Sequence, residues 1–424
     1  MTRHRIRLAA IAALVCVTLA GAGGAAELSF LEAVPVPDAG GGSHVSPVAV
    51  AVSPDGAFVY VLTDIVIGTD AVQIYHRESN GALTYVDTFH DPPFGNPTAM
   101  ALAPDGTVLF VVDNNGGVYA SRRDDVTGLL TWTDVVYDGA SPNLSYLQYA
   151  YGVAVSPDGK EVFVGSGEHA LTSLAWDPVL GKLAFADLQL DGDGDVQLLA
   201  DPTAIASSPD GLDVVVAAVT ENGVTIFDRN PATGSLSWNH DYAGGPGGLD
   251  GLYWPTGLVA APTGLSFYAS GRLDGKVARF VSDEQGNVVY ADGVTVGTQP
   301  FALALHPTGL RLYVTDFQRN AVTAVTRDLA TGALVRKVGE ASNGVAGVSG
   351  LAGPRAMAVS PDGTSLYVCG SSDETVAVFQ IPAPEPSRLP RGLAALGALL
   401  ALGGRAGSSR GTMALRCARS PVDS

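Results

Sequence analysis

The sequence predicts an all-β protein, a seven-bladed β-propeller of four-stranded antiparallel blades. A Ser-Pro-Asp-Gly turn, or a variant of it, recurs seven times at spacings of 45 to 54 residues. The chain is 46% hydrophobic and only 16% charged, and its 52 glycines and 26 prolines suit many short strands joined by tight turns. No long amphipathic helical pattern interrupts the repeats. A fixed period of this length is typical of a radial array.

The first half of each repeat predicts a β-hairpin. Proline presets φ at the first corner of the turn, and glycine accepts the positive φ that closes it. A short apolar run precedes the turn and a β-rich run follows it. Seven residues before the turn stands another proline in six of the seven copies, and only Ala150 departs. The turn prolines are Pro54, Pro104, Pro157, Pro209, Pro262, Pro307 and Pro361.

The second half of each repeat adds two further strands. About 25 residues after each turn proline comes a Gly-x-Leu-x-aromatic pattern, preceded by another β-like run. One repeat therefore supplies the four strands of a propeller blade. The leading glycines of the six copies are Gly81, Gly128, Gly181, Gly234, Gly286 and Gly332.

The seventh copy lacks its fourth strand. Its third strand ends at Ile381, and the proline-rich run that follows cannot pair within a sheet. Residues 28–34, "LSFLEAV", carry the Leu-x-aromatic pattern with no strands before them. We expect this segment to become the outer strand of the last blade, so that the two ends of the propeller close the ring. Six or eight blades, or a pair of β-sandwiches, are the alternatives.

Both ends of the chain are predicted to be targeting segments around a propeller at 27–381. Residues 1–26 combine Arg3, Arg5 and Arg7 with an apolar run and small residues near Ala26, the pattern of a secretory signal peptide. We therefore expect export through the Sec pathway to the periplasm, cell surface or exterior of a Gram-negative bacterium.

The predicted tail at 382–424 begins with Pro384, Glu385 and Pro386, followed by an apolar run and arginines. It resembles the PEP-CTERM sorting signal, which implies contact with the membrane and with a sorting protease. The apolar part, 392–404, is shorter than the ~20 residues of a spanning helix, and a disordered tail is the alternative.

Charge and cysteine content limit the kinds of partner and the covalent links that the protein can have. The net charge is −18, and nine of the 24 basic residues lie in the two terminal segments, so the propeller is strongly acidic. Such a surface repels nucleic acid and favours cations or solubility. Cys16 and Cys417 lie in the terminal segments, and the single core thiol, Cys369, can form no internal disulfide. We expect a monomer whose partner is a small molecule, a glycan or a surface protein.

The repeats resemble a known family. Runs such as "AVSPDGAFVYVL" and "ALHPTGLRLYVTDF" are similar to the lactonase family of seven-bladed propellers, which includes 6-phosphogluconolactonase, and to the related Tyr-Val-Thr-Asn surface-protein repeats. Residues 313–316, Tyr-Val-Thr-Asp, come close to that tetrapeptide. The resemblance covers residues 28–381, and its motifs specify blades rather than chemistry.

The marks of the family's catalytic branch are mostly missing. Its His-Pro-His segment has no counterpart here. Its Gly-Pro-Arg-His segment is kept up to Arg355, but Ala356 replaces the histidine. Asp316 and Phe317 occupy the positions of its Asn-Glu pair. The resemblance therefore implies a non-catalytic binding module, with a lactone hydrolase of rearranged site, a carboxylic ester hydrolase, as the alternative.

A ligand face is expected where the loops after the second and fourth strands converge. Glu168 beside His169 could perform acid-base work there, or form a solvated loop. His306 replaces a turn serine and is interpreted as a turn substitution on the opposite face. No Gly-x-Ser-x-Gly or His-Glu-x-x-His signature occurs. The ligand-face candidates are Asp64, Asp113, Glu168, His169, Glu221, Arg272, Asp316, Arg355 and Asp373.

One loop resembles the start of a calcium site, although no cofactor is required by the predicted function. "LDGDGDV" places Asp191, Asp193 and Asp195 alternately in a glycine-rich loop, like the first ligands of an EF-hand. Pro202 stands where the bidentate glutamate should be, so Asp201 or backbone carbonyls would have to complete the shell. The alternative is an ordinary blade-linking loop made acidic.

Overall fold

The structure is a computed structural model that describes residues 27–37, 44–65, 69–91, 93–141 and 144–382. The predicted signal peptide and nearly all of the predicted sorting tail, with Cys16 and Cys417, lie outside the described residues. Within these ranges 28 strands form seven separate four-stranded antiparallel sheets. No helix among them has the length and apolar character to cross a membrane.

The first three complete blades follow one another along the chain. Blade 1 consists of β2 (Val45–Val52), β3 (Phe58–Ile65), β4 (Ala71–Arg77) and β5 (Leu83–Phe89). Blade 2 consists of β6 (Pro97–Leu102), β7 (Val108–Asp113), β8 (Gly117–Arg123) and β9 (Leu130–Tyr137). Blade 3 consists of β10 (Ala150–Val155), β11 (Glu161–Ser166), β12 (Ala170–Asp177) and β13 (Lys182–Leu190).

The next three blades repeat this order. Blade 4 consists of β14 (Pro202–Ser207), β15 (Asp213–Ala218), β16 (Gly223–Arg229) and β17 (Leu236–Ala243). Blade 5 consists of β18 (Pro255–Ala260), β19 (Ser266–Gly271), β20 (Lys276–Ser282) and β21 (Val288–Thr295). Blade 6 consists of β22 (Pro300–Leu305), β23 (Arg311–Asp316), β24 (Ala321–Arg327) and β25 (Leu334–Ser342).

Blade 7 joins the two ends of the propeller, as predicted. Its inner strands are β26 (Pro354–Val359), β27 (Ser365–Gly370) and β28 (Thr375–Gln380), and its outer strand is β1 (Ser29–Pro35). The ladder between β1 and β28 runs from Ser29 opposite Gln380 to Pro35 opposite Thr375. The first strands of neighbouring blades contact one another all the way around, including β2 against β26. The ring is therefore closed with seven blades.

The core lies between the blades. The second strands are almost entirely buried, because each is covered on both faces by neighbouring sheets; in "DVVVAA" of β15 every residue is buried. The outer strands are only partly buried: in β5 the leucine of the repeat, Leu83, is buried, whereas Tyr85 two positions later is exposed. Each hydrophobic cluster is shared by adjacent blades. The propeller is thus held together by contacts between repeats.

The repeat places functional segments on two opposite faces. We call the face where the first strands begin and the second strands end the upper face, and the face that carries the Ser-Pro-Asp-Gly turns the lower face. The loops between second and third strands, and those linking one blade to the next, lie on the upper face. The turns within the two hairpins of each blade lie on the lower face.

Arginines on the lower face join neighbouring blades. Arg123 at the end of β8 binds Asp55 of the preceding blade, donates to the Tyr60 hydroxyl at 2.9 Å and to the Gly106 carbonyl at 3.3 Å. Tyr60 in turn donates to the carbonyl of Gly128 at 2.8 Å. The turn motif and the Gly-x-Leu motif are therefore the two ends of one contact, which we call the blade latch. Equivalent arginines stand at Arg77, Arg229 and Arg327.

Candidate functional site

The loops of the upper face are anchored by carboxylates. Asp113, at the end of β7, is fully buried. Its oxygens accept the Gly95 N–H at 2.9 Å, the Gly117 N–H at 2.7 Å and the Tyr119 hydroxyl at 2.8 Å. Gly95 belongs to the loop that enters the same blade. The side chain therefore fixes the loop to the hairpin by charge-assisted hydrogen bonds.

The same arrangement recurs around the ring. In each case the carboxylate accepts an N–H from the loop that leads into its own blade. The donors are Gln148 to Glu168 at 3.1 Å, Ala200 to Glu221 at 3.0 Å, Thr298 to Asp316 at 2.6 Å, and Ala352 to Asp373 at 2.9 Å. Five of the predicted ligand-face residues are thus brought to one face, and all five serve as loop anchors.

Blade 5 has an anchor that the sequence analysis missed. Asp274 accepts the Gly251 N–H at 2.7 Å. Burial raises its pKa, although bonds from backbone N–H groups act in the opposite direction. In blade 1, Asp70 accepts N–H groups from Ile65 and from Asn96 of the next loop. Asp274 stands 12 residues after its turn proline, as Glu221 and Asp373 do after theirs, so an alignment of the repeats would have found it. Asp70 stands 16 residues after Pro54 and falls outside that alignment.

The backbone of the upper face is held in a recurrent left-handed conformation. Asn96, Tyr149, Asp201 and Trp254 have φ between 54° and 59°, and each directly precedes the first strand of its blade. Their carbonyls accept N–H groups of the hairpin in the same blade. Because the conformation repeats from blade to blade, it belongs to the fold rather than to a particular chemistry. It leaves Tyr149 and Trp254 exposed on the upper face.

Two arginines from different blades share one aromatic ring on this face. The guanidinium carbon of Arg272, after β19, lies 5.0 Å from the centroid of Phe317, and that of Arg355, in β26, lies 5.6 Å from the same centroid. Phe301, in β22, is 5.8 Å from Phe317 and also lies 5.4 Å from Arg272. These four residues, which we call the Arg-Phe cluster, come from blades 5, 6 and 7.

The arginines of the Arg-Phe cluster lack ion-pair partners in the part of the chain that the structure describes. Among the described residues neither arginine forms an ion pair, whereas the nearby Arg319 pairs with Glu340. Burial and then repulsion from Arg355 lower the pKa of Arg272. The Arg272 Nε is buried and has no hydrogen-bond partner within the described ranges. Two neighbouring cations that form no ion pair with a described residue make a site suited to an anion.

The carboxylate of Asp64 interacts electrostatically with Arg355 of this cluster. Burial and then repulsion from Asp70 raise its pKa, while Arg355 and His44 act to lower it. His44 itself pairs with Glu374. Asp64 therefore lies within electrostatic range of Arg355 without forming an ion pair with it.

Comparison with known proteins identifies the family. The family described as "Lactonase, 7-bladed beta-propeller" matches residues 15–146 and 242–348, more than half of the chain. This chain belongs to the lactonase family of seven-bladed β-propellers. No curated protein gives a significant match.

Solved structures agree with this lactonase-family fold. A candidate 6-phosphogluconolactonase from Bacteroides uniformis is 19% identical with a TM-score of 0.57, over 70% of this chain and 85% of that one. The periplasmic gluconolactonase of Pseudomonas aeruginosa is 18% identical with a TM-score of 0.57, over 70% and 86%. Hydrazine synthase of Kuenenia stuttgartiensis is 18% identical with a TM-score of 0.57, over 80% of this chain and 97% of that one. At these identities the likeness shows the fold alone.

The side chains of Glu168 and His169, the predicted acid-base pair, form no hydrogen bond or ion pair with each other in the described structure. Glu168 accepts the Gln148 N–H, and His169 is exposed in the left-handed conformation with φ of 60°. His306 lies on the lower face, where its Nε2 is 3.0 Å from the Gly363 carbonyl, so its interpretation as a turn residue is consistent with its contacts.

The predicted calcium loop of the propeller is also a blade-linking loop. Asp191 accepts the Leu199 N–H at 3.1 Å, while Asp193 and Asp195 are exposed. In the part of the chain that the structure describes, no group of three or more His, Cys, Asp or Glu side chains is arranged to hold a metal ion. Calcium binding therefore stays a prediction.

Sequence analysis found the two arginines but missed their aromatic partners. Within a single repeat, the sequence marks Phe317 only as a replacement for a family residue and gives no signal at Phe301. Both directly follow strand-boundary positions, Asp316 and Pro300, which face each other in the ladder. Aligning the residue after each of these two positions across the seven repeats would have shown that blade 6 alone combines two phenylalanines there.

Proposed function

We propose that this lactonase-family propeller is an exported, non-catalytic binding module whose small ligand carries an anionic group. The observation that supports the proposal is the Arg-Phe cluster, in which Arg272 and Arg355 share Phe317 without a carboxylate partner among the described residues. An anionic group placed between the guanidinium groups would relieve their repulsion and could accept bidentate hydrogen bonds.

The aromatic part of the cluster adds to the definition of the ligand. Phe301 and Phe317 form a continuous pair of rings beside the cations. An apolar surface next to a few charged groups is typical of a small-molecule site. A sugar acid or another ring compound with a carboxylate or phosphate would place its C–H face on the phenylalanines and its anion on the arginines.

The contacts of the other upper-face carboxylates favour binding over turnover. A catalytic base must reach the proton that it abstracts, and Asp113, Glu168 and Asp316 are engaged with the backbone of their own loops. The resemblance to the catalytic branch of the family also lacks its histidine at Ala356. Export is proposed from the signal-like residues 1–26, and N-terminal sequencing of the secreted protein would test it.

Calorimetry with matched arginine variants tests the binding site. Gluconate, glucuronate and their phosphates would be titrated against glucose as the neutral comparison. Each of Arg272→Gln and Arg355→Gln should weaken binding of an anionic sugar about 10-fold or more, because a charge-assisted hydrogen bond is lost. The control is Arg319→Gln, which removes a paired arginine on the same face and should leave affinity unchanged. Equal binding of glucose and gluconate, or equal losses in all three variants, would refute the proposal.

Lactone hydrolysis is the second candidate, favoured by the position of Asp64 near Arg355. Burial raises the pKa of Asp64, as suits a general base. Asp64 would take a proton from a water molecule while the oxygen of that water bonds to the carbonyl carbon of the lactone. Arg355 would stabilise the oxyanion, and the ring C–O bond would break with the proton passing to the released alkoxide. A panel of lactones assayed with and without Ca²⁺ would support this candidate if turnover appeared and was abolished by Arg355→Ala.

A further inference from the structure

The lower face has one junction between blades that differs from the others. Each junction joins a blade to the one that follows it around the ring, with blade 1 following blade 7. At six of the seven junctions a side chain donates to the carbonyl of the turn glycine in the following blade. Arginine does so four times, Ser282 donates to Gly264 at 3.4 Å, and His306 Nε2 lies 3.0 Å from the Gly363 oxygen. The junction between blades 2 and 3 is the exception, because the carbonyl of Gly159 has no hydrogen-bond partner among the described residues.

Sequence changes at this junction explain the difference. Trp176 occupies the position of the latch arginine, since its N–H bonds the Lys160 carbonyl as the N–H of Arg123 bonds that of Thr107. Phe110 stands where the preceding junction has Tyr60, and packs edge-on against Trp176 with ring centroids 5.3 Å apart. The arginine and the tyrosine hydroxyl that it binds have therefore been replaced together by an aromatic pair.

The replacement leaves a groove of about 460 Å³ at the position that arginine fills at four other junctions. It is lined by Asp105 of blade 2 and by Gly159 and Trp176 of blade 3. A Cβ built on Gly106 would lie 3.4 Å from Arg123 Nη1, and one on Gly211 would lie 3.0 Å from Arg229 Nη1. A Cβ on Gly159 would meet no heavy atom within 4 Å.

The groove also keeps the acid that a latch arginine would pair with. Asp105 is equivalent to Asp55, and its Oδ1 accepts the N–H and hydroxyl of Thr107. Its Oδ2, the atom that binds arginine in Asp55, is without a partner among the described residues. The nearest cations do not replace it: Lys160 lies 3.6 Å from Asp158 and is 64% exposed, and Arg122 donates to the Pro178 carbonyl at 2.6 Å.

We propose that this groove is a binding site for a guanidinium group supplied by a ligand outside the described propeller. The guanidinium would donate to the Gly159 carbonyl and to Asp105 Oδ2, and would lie against the Trp176 ring, the best aromatic partner of a cation. Three copies of the same repeat, at Arg77, Arg123 and Arg229, show a glycine carbonyl and an aspartate holding a guanidinium group together. At Arg327 the hydroxyl of Thr263 takes the place of the aspartate. The lining supplies the negative charge that recognises it, because Asp105 and Asp177 line the groove in addition to Asp158, which already pairs with Arg229 and Lys160.

The probe is Nα-acetyl-arginine amide, compared with the neutral citrulline analogue by amide chemical-shift titration of the full chain. Saturable shifts at Gly159, Lys160 and the Trp176 indole are expected with the arginine compound, and binding at least about 10-fold weaker with citrulline. Asp105→Asn should weaken arginine binding by about 10-fold. The matched control is Asp210→Asn, the same turn position in blade 4, which should not change it.

Trp176→Arg should abolish binding, because it restores an internal latch. If this variant does not fold, the comparison of Asp105→Asn with Asp210→Asn still tests whether Asp105 binds the guanidinium group. Equal binding of arginine and citrulline, or full affinity in Asp105→Asn, would overturn the proposal. The tripeptide acetyl-Gly-Arg-Gly-amide separates the sources of the group: tighter binding than the single residue identifies a protein arginine, and equal binding identifies a free guanidinium compound.

Discussion

Substitution of Arg229 should show how much one blade latch contributes to the propeller. Arg229 is 1% exposed and bonds Asp158 at 2.8 Å, the Gly211 carbonyl at 2.9 Å and the carboxylate of Glu161. Glu161 is itself 6% exposed. The variant Arg229→Trp removes the cation and leaves the Glu161 carboxylate buried without it. Breaking one partner of a buried ion pair costs about 3–5 kcal/mol, and we expect the free energy of unfolding to fall by that amount.

The molecule itself offers the compensating change. At the junction between blades 2 and 3 the equivalents of Glu161 and Arg229 are Val108 and Trp176, so the double variant Glu161→Val/Arg229→Trp copies a natural junction. Replacing a buried ion pair by apolar residues is often neutral. The double variant should therefore be more stable than Arg229→Trp, with a coupling free energy of about 2–3 kcal/mol between the two sites.

Equilibrium unfolding in urea, followed by tryptophan fluorescence and circular dichroism, measures both quantities. Urea is preferred to guanidinium chloride because it does not screen charges. A matched comparison is Arg319→Gln, whose exposed pair with Glu340 should contribute less than about 1 kcal/mol. A loss below about 1 kcal/mol in Arg229→Trp, or a double variant less stable than either single one, would refute the view that Arg229 compensates Glu161.

Three further predictions concern pH, backbone conformation and the core thiol. Partial burial raises the pKa of Asp362, but hydrogen bonds from neighbouring hydroxyl, backbone and guanidinium groups outweigh it and hold that pKa well below its usual range; the stabilisation is therefore present above the unfolded pKa of about 3.9 and lost as the pH falls below it. The urea midpoint should decline below about pH 4, and less steeply in Asp362→Asn. Gly128→Ala should lower the free energy of unfolding in urea more than Gly139→Ala, because alanine must adopt a positive φ at both positions, at about 1 kcal/mol, but only at Gly128 would the new Cβ overlap Phe58. Burial raises the pKa of Cys369, so in a variant without the other two cysteines a thiol reagent at pH 8 should label the chain only at its unfolding rate, and rapid labelling of folded protein would contradict this.

The sequence could predict the blades because their signals are local. The Ser-Pro-Asp-Gly turn and the Gly-x-Leu-x-aromatic pattern each lie within one hairpin, and their period determines the number of sheets. Ring closure was also predictable, because a missing fourth strand at Ile381 and an unmatched one at Phe30 complete each other. The observed strand, Ser29–Pro35, lies one residue beyond the predicted 28–34.

The site could be predicted only in part, because its residues come together only when the blades close into a propeller. Arg272, Phe317 and Arg355 belong to three blades, and their separation in the sequence does not indicate that both arginines contact the Phe317 side chain. The acidic candidates were located correctly on one face, but their role as loop anchors depends on N–H groups some 20 residues earlier, as between Gly95 and Asp113. A carboxylate at a strand end reads the same in sequence whether it faces a ligand or a loop backbone.

Repetition makes exceptions informative in this propeller. Where an acid recurs with the same backbone donors in several blades, as at Asp113, Glu168 and Asp316, the fold alone explains its presence. Where a position departs from its copies and leaves a polar group without a partner, the fold supplies no reason. The Arg-Phe cluster on the upper face and the groove at Gly159 on the lower face are such departures, with opposite charge. An anionic and a cationic ligand group could therefore bind the two faces independently, since neither set of side chains contributes to the other.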